Sequence, residues 1–149
     1  MAIYVIAGLL VVLFLFGAYR MMGAGASTDE NPRGVLAAVL ETAAQAACSL
    51  EGTPAASDDE NGPRAVRRRL DGCAQALERI AAIPVDVALD QARSALELAV
   101  DELSWSARMA EAPGYARDES LRDAGTALRT RGAANVARAR SLLEASAPS

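Results

Sequence analysis

The sequence predicts an all-α protein: a single N-terminal transmembrane helix followed by a small antiparallel bundle of about four helices. Three observations carry this expectation. Residues Ala2–Tyr19 (AIYVIAGLLVVLFLFGAY) form an unbroken apolar run of eighteen residues without charge or proline. At ~1.5 Å per residue, a helix of that length covers about 27 Å, close to the ~30 Å hydrocarbon core of a bilayer. Aromatic residues make up only 4% of the chain while Ala and Leu dominate, which favours helices packed through small side chains over a sheet. Beyond the run, amphipathic stretches alternate with Pro- and Gly-containing breaks. The expected organisation is an anchor over 2–22, a tether over 23–31 and a helical-bundle domain over 32–146.

Within the anchor, Tyr4 and Tyr19 sit near the two ends, where amphipathic rings favour the headgroup level, and Arg20 follows as a snorkelling stop. Ala7, Val11, Phe14 and Ala18 share one helical stripe that faces either lipid or a neighbouring transmembrane helix. A secretory signal is the alternative, since Ala24-Gly25-Ala26 has the small-x-small form of a cleavage site. The missing Lys or Arg before the run, and its length beyond the ~7–15 residues of a signal, favour a retained anchor. Only Arg20 and Arg33 bias the flanks, and the positive-inside rule then favours a single-pass inner-membrane protein with a cytoplasmic bundle over an extracytoplasmic one.

The first bundle helix is expected over 32–51. Asn31 serves as its N-cap and Pro32 as its first residue, with Val35, Leu36, Val39, Leu40, Ala43, Ala47 and Leu50 on the core face. GTPAASDDENG over 52–62 is a polar loop. Pro63 opens a second helix over 63–82, in which Val66, Leu70, Cys73, Leu77 and Ile80 recur at 4-3-4-3 spacing as a packing seam. Arg64, Arg67, Arg68 and Arg69 lie off that seam, either as a solvated face beside Asp58-Asp59-Glu60 or as a contact for anionic lipid headgroups.

Pro84 marks the third helix, to Glu111, with Val85, Leu89, Ala92, Leu96, Ala99 and Leu103 on its main face. Val87, Leu98, Trp105 and Met109 fall within ~40° of each other on nearly the opposite side. Such a second stripe belongs either to a central helix packed on both sides or partly covered by loops, or to a partner-binding surface, where Trp and Met are enriched. Pro113-Gly114 breaks the chain. A fourth helix follows over 117–145, with Leu121, Gly125, Leu128, Gly132, Asn135 or Val136, Ala139 and Leu142 on one face. Gly125 and Gly132 each cost about 1 kcal/mol relative to Ala, and their shared face points to a helix pressed close against them. Four helices with short connections make an up-down bundle the default. A long helical hairpin, or helices that fold only against a partner, is the alternative.

Composition narrows the chemistry. All 15 basic residues are Arg, with no Lys and no His, against 19 acidic residues. GC-rich coding explains the Arg usage more simply than phosphate binding does. Beyond Arg20 the balance is 14 against 19, net −5, which gives little attraction for nucleic acid. Imidazole bases and metal ligands, Schiff bases and P-loop lysines all require residues the chain lacks. No cofactor, metal site or enzymatic activity is expected. Cys73 lies in the second-helix seam and Cys48 off the first helix's apolar face, so a Cys48–Cys73 disulfide is conceivable across a helical hairpin, and would imply an oxidising compartment. The leading functional expectation is a membrane-anchored, non-enzymatic accessory or assembly subunit of a bacterial membrane complex, with lipid and other subunits as partners. An envelope-facing domain for lipid, cell wall or peptide, stabilised by that disulfide, is the second expectation. A thiol switch is the third, although no Lys or His is present to lower a thiol pKa.

Overall fold

Asn31 opens the first helix of the bundle by accepting a hydrogen bond on Oδ1 from the Arg33 amide at 3.1 Å. This satisfies one of the donors that a helix start leaves without partners. The computed structural model describes residues 31–52 and 61–146. The expected anchor, including Tyr4, Phe14, Ala18, Tyr19 and Arg20, lies outside the described residues, as do the expected tether up to Glu30 and most of the 52–62 loop. Among the described residues, no helix is long and apolar enough to cross a membrane. Asn31–Ser149 forms a compact unit of its own.

Four helices follow in order: α1 (Pro32–Gly52), α2 (Pro63–Ile80), α3 (Val87–Glu111) and α4 (Glu119–Ala145). No strand occurs among the described residues. The ends follow local chemistry. Pro63 begins α2 at its first position, where its missing N–H costs nothing. The third helix begins three residues later than Pro84, because Asp86 supplies the cap: its carboxylate accepts from the Leu89 amide at 2.8 Å. Likewise α4 begins at Glu119 rather than 117, since Asp118 accepts from the amides of Ser120 and Leu121. Between them Gly114 takes φ +91°, which glycine adopts without a Cβ penalty. Its carbonyl then accepts from the amides of Arg117 and Asp118.

Neighbouring helices run antiparallel. Arg33 at the start of α1 reaches Leu143 and Ser146 at the end of α4, while Arg129 of α4 reaches Leu50 at the end of α1. Arg67 early in α2 meets Glu111 late in α3, and Arg93 early in α3 meets Ala81 just after α2. The bundle is therefore up-down-up-down. Both α1 and α3 touch all the other helices, whereas α2 and α4 do not touch each other.

That asymmetry follows from side-chain size. The buried alanines belong mostly to the two helices that meet across the diagonal: Ala43, Ala46 and Ala47 on α1, and Ala92, Ala95, Ala99 and Ala107 on α3. Small side chains allow short interaxial distances. The larger residues fill the remaining space, with Val66, Leu70, Leu77 and Ile80 from α2, Leu36 from α1, and Leu96 and Leu103 from α3, each 2% exposed or less. All five residues of the expected α2 seam are buried.

The two glycines of α4 are not equivalent. A Cβ on Gly132 would stand 2.8 Å from Leu103 Cγ and 3.4 Å from the Ala99 carbonyl, so α3 presses directly on it. A Cβ on Gly125 would instead meet the ring of Tyr115, in the connection before α4. The Gly125 carbonyl accepts a hydrogen bond at 2.9 Å from Ser106, a buried hydroxyl on α3.

Candidate interaction surfaces

The stripe of α3 opposite its main face lies largely open. Val87 is 73% exposed, Leu98 55% and Trp105 48%, while Met109 is half-buried. No described helix covers the first three. Among the described residues no helix packs over the length of the stripe, because α3 meets its three neighbours through the arc carrying Ala92 to Ala107. Val87 stands apart at the helix start, about 16 Å of helix rise from Leu98; Leu98, Trp105 and Met109 form the denser part. The Arg108 guanidinium lies 5.0 Å from the centre of the Trp105 ring, a cation–π contact. On the α4 side, Glu102 borders the stripe, accepting from the Asn135 side-chain amide at 2.9 Å and pairing with Arg131 at 3.3 Å.

The four arginines of α2 do not form one patch. Arg64 and Arg67 both turn to Glu111 of α3, at 3.9 and 2.9 Å. Arg69 points the other way, along the side of α2 that faces α1, within 3.4 Å of the Asn61 side chain. Arg68 is exposed. A headgroup contact made by all four together is therefore not built into the surface; two of them tie α2 to α3.

The Cys48–Cys73 disulfide that the sequence left open is not formed. Both thiols are free, with Cys48 exposed and Cys73 buried. Cys73 faces the core beside Thr42, and burial pushes its thiol pKa up despite the Thr42 hydrogen bond. Cys48 leaves α1 on the side of Glu41 and Gln45, which hydrogen-bond to each other. The two side chains point in different directions. Among the described residues, no three His, Cys, Asp or Glu side chains converge into a group that could hold a metal ion.

Sequence reasoning missed a use for arginine. Three arginines each donate to the C-terminal carbonyls of a different helix. Arg33 bonds Ser146 and Leu143 at 2.6 and 2.8 Å, closing α4; Arg129 bonds Leu50 at 3.2 Å, near the end of α1; Arg93 bonds Ala81 at 2.9 Å, just after α2. The last turns of α1 and α4 contain no basic residue of their own, so these carbonyls are satisfied from outside. The only signal in sequence was that missing last-turn charge. No family model matches the chain, and neither a curated protein nor a solved structure does.

Proposed function

We propose that this protein is a membrane-anchored, non-enzymatic interaction protein, an accessory or assembly subunit of a bacterial membrane complex. The observation that carries the reading is the open α3 stripe. An indole 48% exposed beside an exposed Leu98 is the kind of rigid, amphipathic contact that interfaces favour. The apolar run at Ala2–Tyr19 supports a role in which the anchor sets the bundle's position and α3 supplies the contact. Two free thiols, one of them exposed, support placing the bundle on the cytoplasmic side, where thiols stay reduced. Arg33 is engaged with α4, so the flanking-charge argument for the same side rests on Arg20.

The test is to extract the native membrane in mild detergent and determine the mass and composition of the particle that carries this chain. The expected particle contains at least one other polypeptide, which Trp105→Ala with Leu98→Ala releases. A particle containing this chain alone, unchanged by those substitutions, refutes the reading.

A further inference from the structure

The open stripe of α3 separates two edges of opposite charge. On its α2 side stand Asp71 and Glu78 of α2 and Glu97 and Asp101 of α3, with Arg108 as the one cation lining the same hollow. That cation lies over the Trp105 ring. Glu78 and Asp101 have no ion-pair partner among the described residues, and Glu97 has only Arg93, at 3.8 Å. On the α4 side the edge carries Arg131 and Arg138, both exposed and about 20° apart around the helix. Arg131 fixes which side this is, because it reaches Glu102 beside the stripe at 3.3 Å. Glu102 is also held by the Asn135 amide. The exposed carboxylates Asp123 and Glu144 lie about 60° and 120° further round α4 from Arg138, away from the stripe.

The two edges also match in height along α3. Arg131 stands level with Glu102 and therefore with Asp101. Arg138, two turns further along the antiparallel α4, lies about 10 Å nearer the start of α3. Glu97 stands close to that level, and so does Glu78, one turn before the Ala81 carbonyl that Arg93 reaches. Between the edges, Leu98, Trp105 and Ala112 recur every seven residues. A two-fold axis parallel to α3 and passing beside Leu98 and Trp105 lays the acidic edge of one copy on the basic edge of the other, at the same height, twice over. An axis perpendicular to α3, which makes the helices antiparallel, sets each edge against its own charge.

We infer that two copies of this chain pair through the stripe, with α3 parallel to α3. The inference rests on the reading of the stripe as a contact and names its occupant. Other subunits assemble on the pair, and substitutions that part the two copies release them. The interface is isologous. Leu98 and Trp105 meet their own counterparts, as residues at seven-residue spacing do in parallel helix pairs. Asp101 faces Arg131 of the other copy, and Glu78 and Glu97 face its Arg138. Both chains enter their bundles, at Asn31, from the same end, as two chains anchored in one membrane require.

The test uses the purified full-length chain in detergent micelles, its mass followed by sedimentation over a range of concentrations. The native chain is expected to form a dimer, more weakly as salt is raised. Glu78→Arg and Arg138→Glu are both at exposed positions, and far-UV circular dichroism checks that each variant is folded. Each alone is expected to weaken pairing about tenfold or more through like-charge contact. The double variant recovers it, because every contact again joins opposite charges. Orientation is read by Ser94→Cys in a Cys48→Ser chain: Ser94 is exposed near the middle of the open arc, and mild oxidation links the two copies only when α3 is parallel to α3. A native chain that stays monomeric overturns the inference. So does a double variant as weak as the single ones, or a dimer that Ser94→Cys does not link. Any of these, with a native particle that still holds another kind of polypeptide, leaves the complex standing with a foreign partner on the stripe. Pairing of the purified chain, with a native particle that holds this chain alone, supports the inference and counts against the complex.

Discussion

Replacing Gly132 by Ala tests how closely α3 and α4 approach. In an exposed helix the change stabilises by about 1 kcal/mol, because glycine carries the larger entropy cost. Here the new Cβ would lie 2.8 Å from Leu103 Cγ, 3.0 Å from Leu103 Cδ2 and 3.4 Å from the Ala99 carbonyl oxygen. Comfortable carbon contacts are ~3.5–4.0 Å, so a gap of nearly 1 Å must open. Leu103 is fully buried and the clashing atom is its branch point, so rotation about χ2 does not move it, and a change of χ1 would drive the side chain into the packed core around it. Forced repacking of this kind costs about 1–3 kcal/mol, and at the upper end of that range the net effect is a loss of about 1–2 kcal/mol. Gly72 is the control. It sits in α2 with no atom within 4 Å of the place an added Cβ would occupy, and Gly72→Ala is expected to gain up to about 1 kcal/mol. Gly125→Ala falls between them, because the ring it meets belongs to the half-exposed Tyr115 of a connecting segment, which can shift. The assay is urea unfolding of the full chain in detergent, followed by far-UV circular dichroism with a common slope. A Gly132→Ala chain as stable as the native protein, or more so, refutes the close approach.

Three further outcomes follow from the same contacts. Arg33→Ala is expected to cost about 2 kcal/mol, because two charge-assisted bonds to the end of α4 are lost in a part-buried setting. Hydrogen exchange should accelerate at the last turn of α4 and at the facing start of α1, and unchanged exchange there counts against the capping role. The Asp118 carboxyl is held below the usual carboxylate range, first by the Ser120 hydroxyl and then by the Leu121 amide. Because the folded pKa is the lower one, its contribution is present above the ordinary value of ~3.9 and is lost as pH falls through the folded value. Asp118→Ala should remove that part of the acid dependence, seen by comparing stability between neutral pH and the acid limb. The two thiols should differ: a thiol reagent labels Cys48 in the folded protein, whereas Cys73 reacts only on unfolding. Equal native-state rates contradict the packing of α2.

The arginine network changes how the composition reads. A chain whose basic residues are all Arg invites a search for a phosphate or headgroup site on α2. In the folded bundle, Arg64 and Arg67 meet Glu111, and Arg33, Arg93 and Arg129 close the ends of other helices. The planar, multiply donating guanidinium suits both uses. On the outside, Asp71, Glu78, Glu97 and Asp101 line the hollow between α2 and α3 together with Arg108.

Helix identity and the core face were legible in the sequence because both are local. The seam Val66-Leu70-Cys73-Leu77-Ile80 is written at helical spacing, and all of it is buried. Asn31 could be recognised as a cap from its position beside Pro32. At Pro84 the same kind of reading placed α3 early, because the Asp86 carboxylate, rather than the proline, begins the helix. The second stripe of α3 was also visible as periodicity, but periodicity is identical for a covered and an open face. Only the packing of α1, α2 and α4 on other parts of α3 left Trp105 and Leu98 open. Gly125 and Gly132 look equivalent in sequence, seven residues apart, and differ only in what stands opposite each. The thiols were legible as two cysteines, yet the direction of each side chain, and so the missing bond, came from the fold. What recurs every three or four residues was fixed by the chain itself; which groups meet between α1 and α4, or α3 and α4, was decided by distances that no local pattern records.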